Sequence, residues 1–335
     1  MSNKELGIVV NLNSSYTDFQ FNPYTITCFL AFAPFVYIIP TFIIVFRIIR
    51  KFLRNVFRKK DPSFNRHVFI VLVLSQFSNI GFFLADLFVM RVPSTGMMTS
   101  WCYRQEPNEF LKILFISQSY FNYCAMLYPV LFSIIRLVIT YLPNRHNDIN
   151  TKILKYSIPL IHIWPLLFNL YLIPALGVCR QHFAPYKLGA VYVHIINSWR
   201  GMMGAPFTVL NSAVWLTVCL ILNWILYRKL RELKSLSQSS SQTSQINKNR
   251  TIEISLSITT FAMLSAYIAH LIFLGAFLID YDVATYLVVI RPFGFDLELC
   301  AAPWVFYLTH PAFRKRKDSK IVVAANKKTI KSVDY

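Results

Sequence analysis

Three acidic side chains stand where hydrocarbon is expected: Asp86 toward the end of one apolar run, and Asp296 and Glu298 near the middle of another. A carboxylate facing lipid costs roughly 2.5 kcal/mol or more, so such groups turn inward and find a partner. Two cations, Arg91 and Arg291, lie beside the same runs. One chemistry open to this set is a structural ion pair between Asp86 and one of the arginines. The other is a ligand pocket or intramembrane polar network, in which Asp86, His270, Arg291, Asp296 and Glu298 present charge and hydrogen bonds to a small molecule among aromatic side chains.

A second constellation belongs to the other end of the same runs. Arg136 ends the stretch Ser133-Ile134-Ile135-Arg136-Leu137, and Glu253 opens a run at Ile252-Glu253-Ile254-Ser255. An Arg and a Glu at these two ends could pair and hold them together, a two-state element of the kind that switching requires. The plainer alternative is an arginine reaching lipid headgroups and a glutamate solvated at a helix start. Pro303 and Tyr307 sit in Pro303-Trp304-Val305-Phe306-Tyr307-Leu308-Thr309-His310-Pro311, where proline weakens a helix close to the basic Arg314-Lys315-Arg316-Lys317. Arg136, Glu253, Pro303 and Tyr307 are therefore the candidate switch residues.

Catalytic patterns are missing: there is no Gly-rich phosphate loop, no H-E-x-x-H and no clustered histidine ligands. The chain is not expected to be an enzyme, or to hold a metal or another cofactor. Of six cysteines, Cys28, Cys124, Cys219 and Cys300 fall in or at the rim of apolar runs and read as small core residues. Cys102 and Cys179 fall outside them, in segments assigned to the oxidising side, and are expected to pair. Asn13-Ser14-Ser15 is a glycosylation acceptor pattern on that same side.

The elements that must position these residues follow from composition. With 335 residues, 55% hydrophobic, only 15% charged and a mean hydropathy of +0.46, the chain suits a bilayer better than water. A spanning helix needs about 20 apolar residues, which leaves room for about seven spans and short loops. Apolar runs lie at about 25–48, 67–90, 110–141, 153–176, 205–227, 253–279 and 284–308. Pro34, Pro40, Pro129, Pro159, Pro165, Pro206 and Pro303 fall inside them and predict kinks.

The last run is the weakest, because Arg291, Asp296 and Glu298 interrupt it. Charge decides in its favour. With seven spans and the amino terminus outside, 26 Lys and Arg fall on the cytoplasmic side and 7 outside, as the positive-inside rule requires. The net charge of +19 thus reflects topology, and no nucleic-acid partner is expected. The expected organisation is an extracellular tail at 1–24, a bundle at 25–308 and a basic cytoplasmic tail at 309–335. The segment Ser235 to Gln245, rich in Ser and Gln, is expected to be a flexible linker.

Several segments give the chain a family likeness: Tyr37-Ile38-Ile39-Pro40-Thr41, Arg91-Val92-Pro93 followed by Thr99-Ser100-Trp101-Cys102, Pro174-Ala175-Leu176-Gly177-Val178-Cys179, and Arg291-Pro292-Phe293-Gly294 ahead of the Pro303 segment. Over nearly its whole length it resembles the nematode serpentine chemoreceptors, class U, within the G-protein-coupled receptors. The resemblance implies an all-α, GPCR-like seven-transmembrane bundle with its amino terminus outside and its carboxy terminus in the cytoplasm. It implies a plasma-membrane receptor of chemosensory neurons, possessed of an unidentified small-molecule or peptide ligand and a heterotrimeric G protein as partner, in cells whose sensory cilium would hold it. Arg136 departs from the rhodopsin-like pattern, having neither the preceding acid nor the following aromatic of D-R-Y, and Pro303 and Tyr307 are four apart instead of three. A seven-helix ligand-gated channel subunit and a small-molecule transporter are the alternatives. The charge split opposes the inverted orientation of insect-type channel subunits, and no matching broken halves argue for a transporter.

Overall fold

The first span breaks where proline removes a backbone donor. In the computed structural model, which describes residues 9–58, 65–182, 186–202, 204–237, 254–279, 281–310 and 313, it consists of α1 (Ile26–Phe32) and α2 (Phe35–Arg58), parted at Ala33 and Pro34. Thr25 caps α1 by accepting from the Cys28 N–H. The second span is α3 (Arg66–Asp86), capped by Asn65, whose side chain accepts from the His67 and Val68 N–H groups. It does not stop at Asp86 but widens into a π turn over Leu87–Arg91 and closes with a single turn, Val92–Ser94. A short α4 (Thr99–Tyr103) leads to α5 (Glu109–Tyr141).

With 33 residues, α5 is about 50 Å long at 1.5 Å per residue, well beyond a hydrocarbon core of about 30 Å. It tilts or projects, as its long apolar run suggests. The fourth span, α6 (His146–Phe168), begins seven residues ahead of the apolar run, with Asp148, Lys152 and Lys155 on its first turns, and ends earlier than the run does. Leu176, the expected end of that run, already belongs to a strand. A two-stranded antiparallel hairpin of β1 (Leu176–Gln181) and β2 (Val191–Ile196) follows, with Cys179 opposite Val193 and Val178 opposite His194.

The fifth span, α7 (Gly204–Ser237), continues past its apolar part through Arg228, Lys229, Arg231 and Lys234, so Ser235 to Ser237 are helical; the rest of the expected linker lies outside the described residues. The sixth span is α8 (254–263) and α9 (Ser265–Ile279), and the seventh is α10 (Tyr281–Thr309). Among the described residues, five of these spans are long and apolar enough on composition alone to cross a membrane; α6 and α10 fall short of that measure. In α10 the acids explain the shortfall, since Asp296 and Glu298 are both turned into the bundle and buried.

The central helix is α5, packed against α3, α6 and α7, while α10 lies against α2, α3 and α9. Phe69 and Leu72 of α3, Tyr128, Phe132 and Ile135 of α5 and Phe306 of α10 share the main core, all fully buried. Where α9 meets α10, Gly294 admits close contact: a Cβ there would lie 2.2 Å from that of Ala269. The outer surface is the reverse of a soluble protein's, with Phe29, Val36, Phe46, Phe77, Trp224 and Phe261 exposed. Such a belt is what lipid tails solvate. Seven helical spans thus pack as one all-α bundle.

Candidate functional site

One end of the bundle carries a lid. The Cys102–Cys179 disulfide, with its Cα atoms 5.7 Å apart, ties α4 to β1, and Val10 and Tyr16 of the amino-terminal segment are buried against it. Tyr16 donates its hydroxyl proton to Gln181 Oε1 at 2.8 Å, and Val9 bridges to Arg180. The hairpin backbone rests directly on the start of α5, where a Cβ on Gly177 would lie 2.3 Å from the Lys112 nitrogen. His182 stacks on Tyr192 at 4.5 Å, and His194 meets Phe115 edge-on. Burial holds both histidines down to about 4, with Arg180 adding to the effect on His194, so both are neutral at pH 7. Asn13 lies in this lid and caps a short turn by accepting from the Ser15 N–H.

Beneath the lid is a buried ionic network. Asp86 and Arg91 are five residues apart, a spacing that in an α-helix points them about 140° away from each other. The π turn, whose Val92 N–H bonds back to the Leu87 carbonyl, brings the two nearly into line. Arg91 Nε donates to Asp86 Oδ2 at 2.7 Å, its Nη1 and Nη2 grip the two oxygens of Asp296 at 2.8 and 2.7 Å, and Nη2 also reaches the Pro292 carbonyl. Tyr37 donates to Asp296 at 2.5 Å and Gln118 to Asp86 at 2.6 Å. The guanidinium lies 5.0 Å from the Phe83 ring. Side chains from the first, second, third and seventh spans thus meet at one arginine, with Arg91, Asp86 and Asp296 only 4%, 0% and 3% exposed.

The remaining candidates are distributed differently. Glu298 is buried away from Arg91 and accepts from Asn79 Nδ2 at 3.2 Å. Arg291 stands over the rings of Phe273 and Phe295, at 5.0 and 6.0 Å. His270 is on α9, but its side chain lies outside the described residues. Sequence reading left Arg91 as one of two available cations and did not single out Tyr37 or Gln118. It also passed over His162, which bridges the hydroxyls of Tyr120 and Tyr128 at 2.8 and 3.2 Å.

At the opposite end, Arg136 is fully buried. Its Nη1 donates to Thr260 Oγ1 at 2.8 Å and its Nη2 to Ser257 Oγ at 2.7 Å, both on α8. Thr260 in turn donates to the Leu256 carbonyl. Glu253 lies outside the described residues, as does the tail from Arg314 onward. Tyr307 is within 3.5 Å of Arg47 Nη1 and packs on Phe313, and Pro303 lies one turn before it inside α10.

These features can be set beside known proteins. The crystal structure of squid rhodopsin superposes with a TM-score of 0.54 over 93% of this chain and 91% of that one; at 11% identity the likeness concerns the fold. Serpentine receptor class U-26 of Caenorhabditis elegans is 35% identical over 258 residues, 77% of this chain and 87% of that receptor. The family model for the serpentine type 7TM GPCR chemoreceptor Sru matches residues 10–316, from the lid through the end of the last helix. The chain therefore belongs to the Sru family of serpentine chemoreceptors, multi-pass membrane receptors of the G-protein-coupled type.

Proposed function

We propose that this receptor binds an unidentified small-molecule or peptide ligand beneath the lid and activates a heterotrimeric G protein through the inner ends of α5 and α8. The amino terminus and the lid face the outside, and the basic tail faces the cytoplasm. The split of 26 against 7 basic residues supports that orientation, and Asn13 would then be a glycosylation site. The proposed location is the plasma membrane, in the sensory cilium of a chemosensory neuron.

The observation that carries the coupling is the grip of Arg136 on Ser257 and Thr260. A buried guanidinium bonded to two hydroxyls of a neighbouring helix is a latch, and a partner entering between α5 and α8 would have to open it. Hydrogen bonds to a charged group are worth about 1.5–3 kcal/mol each, and a shift of about 1.4 kcal/mol changes the ratio of two states tenfold. Glu253, four positions before Ser257 in sequence, is the proposed acidic member of the same restraint.

The test is the double variant Ser257→Ala/Thr260→Val, which removes these two hydroxyl acceptors and preserves shape. Basal G-protein signalling in transfected cells is expected to rise by about tenfold at equal surface expression. Unchanged basal signalling, in cells where the wild type couples, would remove the latch from the account.

A further inference from the structure

Two arginines, Arg91 in the π turn that follows α3 and Arg291 about a third of the way along α10, have opposite circumstances. Arg91 is satisfied by two carboxylates and a carbonyl. Arg291, in α10 one position before the Pro292 whose carbonyl Arg91 holds, has no hydrogen bond and no salt bridge among the described residues, and its Nε is buried without an acceptor. Among the described residues two aromatic faces attend it, Phe273 of α9 and Phe295 one turn further along α10, and the charge of Asp86 acts on it without a hydrogen bond. An arginine inside a membrane protein is costly unless something compensates it. Two ring faces return part of that cost and leave the hydrogen-bonding fork unused.

The direction of that face argues against a role at the lipid surface. Phe295 is buried and packs on Phe82 of α3 at 4.6 Å, with Phe121 of α5 beside them. The strip of α10 that carries Arg291 and Phe295 therefore looks into the bundle, with an aromatic floor formed by three different helices. A guanidinium fork recognises a planar oxyanion through two parallel hydrogen bonds, and aromatic walls suit a flat apolar body. We propose that Arg291 is the anion-recognition residue of the ligand pocket and that the ligand class is an organic carboxylate on a flat, apolar, preferably aromatic frame. The inference rests on the reading of the chain as a ligand-binding receptor and deepens it.

Purified full-length receptor in nanodiscs of neutral phosphatidylcholine is titrated with naphthoate and with naphthamide, the same ring system without the charge, while thermal unfolding is followed. Naphthoate is expected to raise the unfolding midpoint and naphthamide to leave it unchanged. Arg291→Gln is expected to weaken the naphthoate response by at least about tenfold, and Arg291→Lys, which keeps the charge without the fork, to fall between. Without ligand, Arg291→Gln should unfold at the same temperature as the wild type or higher, because a poorly compensated charge has been removed. A lowered midpoint in unliganded Arg291→Gln, or a wild type that responds to neither compound up to about 1 mM, overturns the proposal. So does a shift produced by anionic phosphatidylglycerol in the disc and not by naphthoate, which would assign the site to a lipid headgroup. No G protein is present, so a failure of coupling would leave the binding result standing.

Discussion

Arg91→Met is expected to remove most of the receptor from the cell surface. The substitution keeps much of the side-chain volume but leaves Asp86 and Asp296 buried with only Gln118 and Tyr37 as donors. Breaking a buried ion pair by removing one partner costs about 3–5 kcal/mol, a large part of the 5–15 kcal/mol that holds a typical domain. Replacing the whole set by neutral groups is far milder, because no charge is left to desolvate. The triple variant Arg91→Met/Asp86→Asn/Asp296→Asn is therefore expected to regain surface expression relative to Arg91→Met alone. Flow cytometry against an extracellular tag, with thermal unfolding of solubilised protein, measures both. An Arg91→Met receptor with wild-type surface level and midpoint would show that the network does not hold the four spans together.

Loss of the disulfide should come second in size. Cys102 and Cys179 are 77 positions apart in sequence, and constraining a loop of that order is worth on the order of 4 kcal/mol in the chain-entropy picture. Other links remain in the lid of Cys102→Ser/Cys179→Ser, among them the Asn108–Gly177 backbone bridge and the Tyr16–Gln181 hydrogen bond. The expected outcome is a receptor that unfolds at lower temperature and whose hairpin and amino-terminal amides exchange faster with solvent, while amides of the central α5 are little changed. Equal exchange in the hairpin of variant and wild type would mean that the bridge does not secure the lid.

The sequence shows the bundle because hydrocarbon imposes a simple rule: about 20 apolar residues in succession, with charge kept to the ends. Asp296 and Glu298 broke that rule within the last run, and their burial in α10 is the outcome the cost of a lipid-facing carboxylate leads one to expect. The cysteine pair was legible for a similar reason, since compartment alone separates Cys102 and Cys179 from the other four. Arg91 was not legible as a hub. An interval of five residues suggests opposite faces until the π turn realigns it, and nothing in Leu87–Arg91 announces a widened helix. The hairpin was hidden by its own apolar strands, which blend into the tail of the fourth run at Leu176. The early start of α6 escaped notice because Asp148, Lys152 and Lys155 carry a helix into water, where hydropathy gives no signal. His162 was lost among scattered histidines, because its tyrosine partners Tyr120 and Tyr128 lie 42 and 34 residues away in sequence on another helix.

Every part of the functional account depends on which side of the membrane each end occupies, with lid and disulfide outside and the Arg136 latch inside. Epitope tags at the two termini of the full-length receptor measure this directly. The account predicts that an amino-terminal tag is stained on intact cells and that a carboxy-terminal tag is stained only after permeabilisation. The reverse pattern, or both tags on one side, would contradict it.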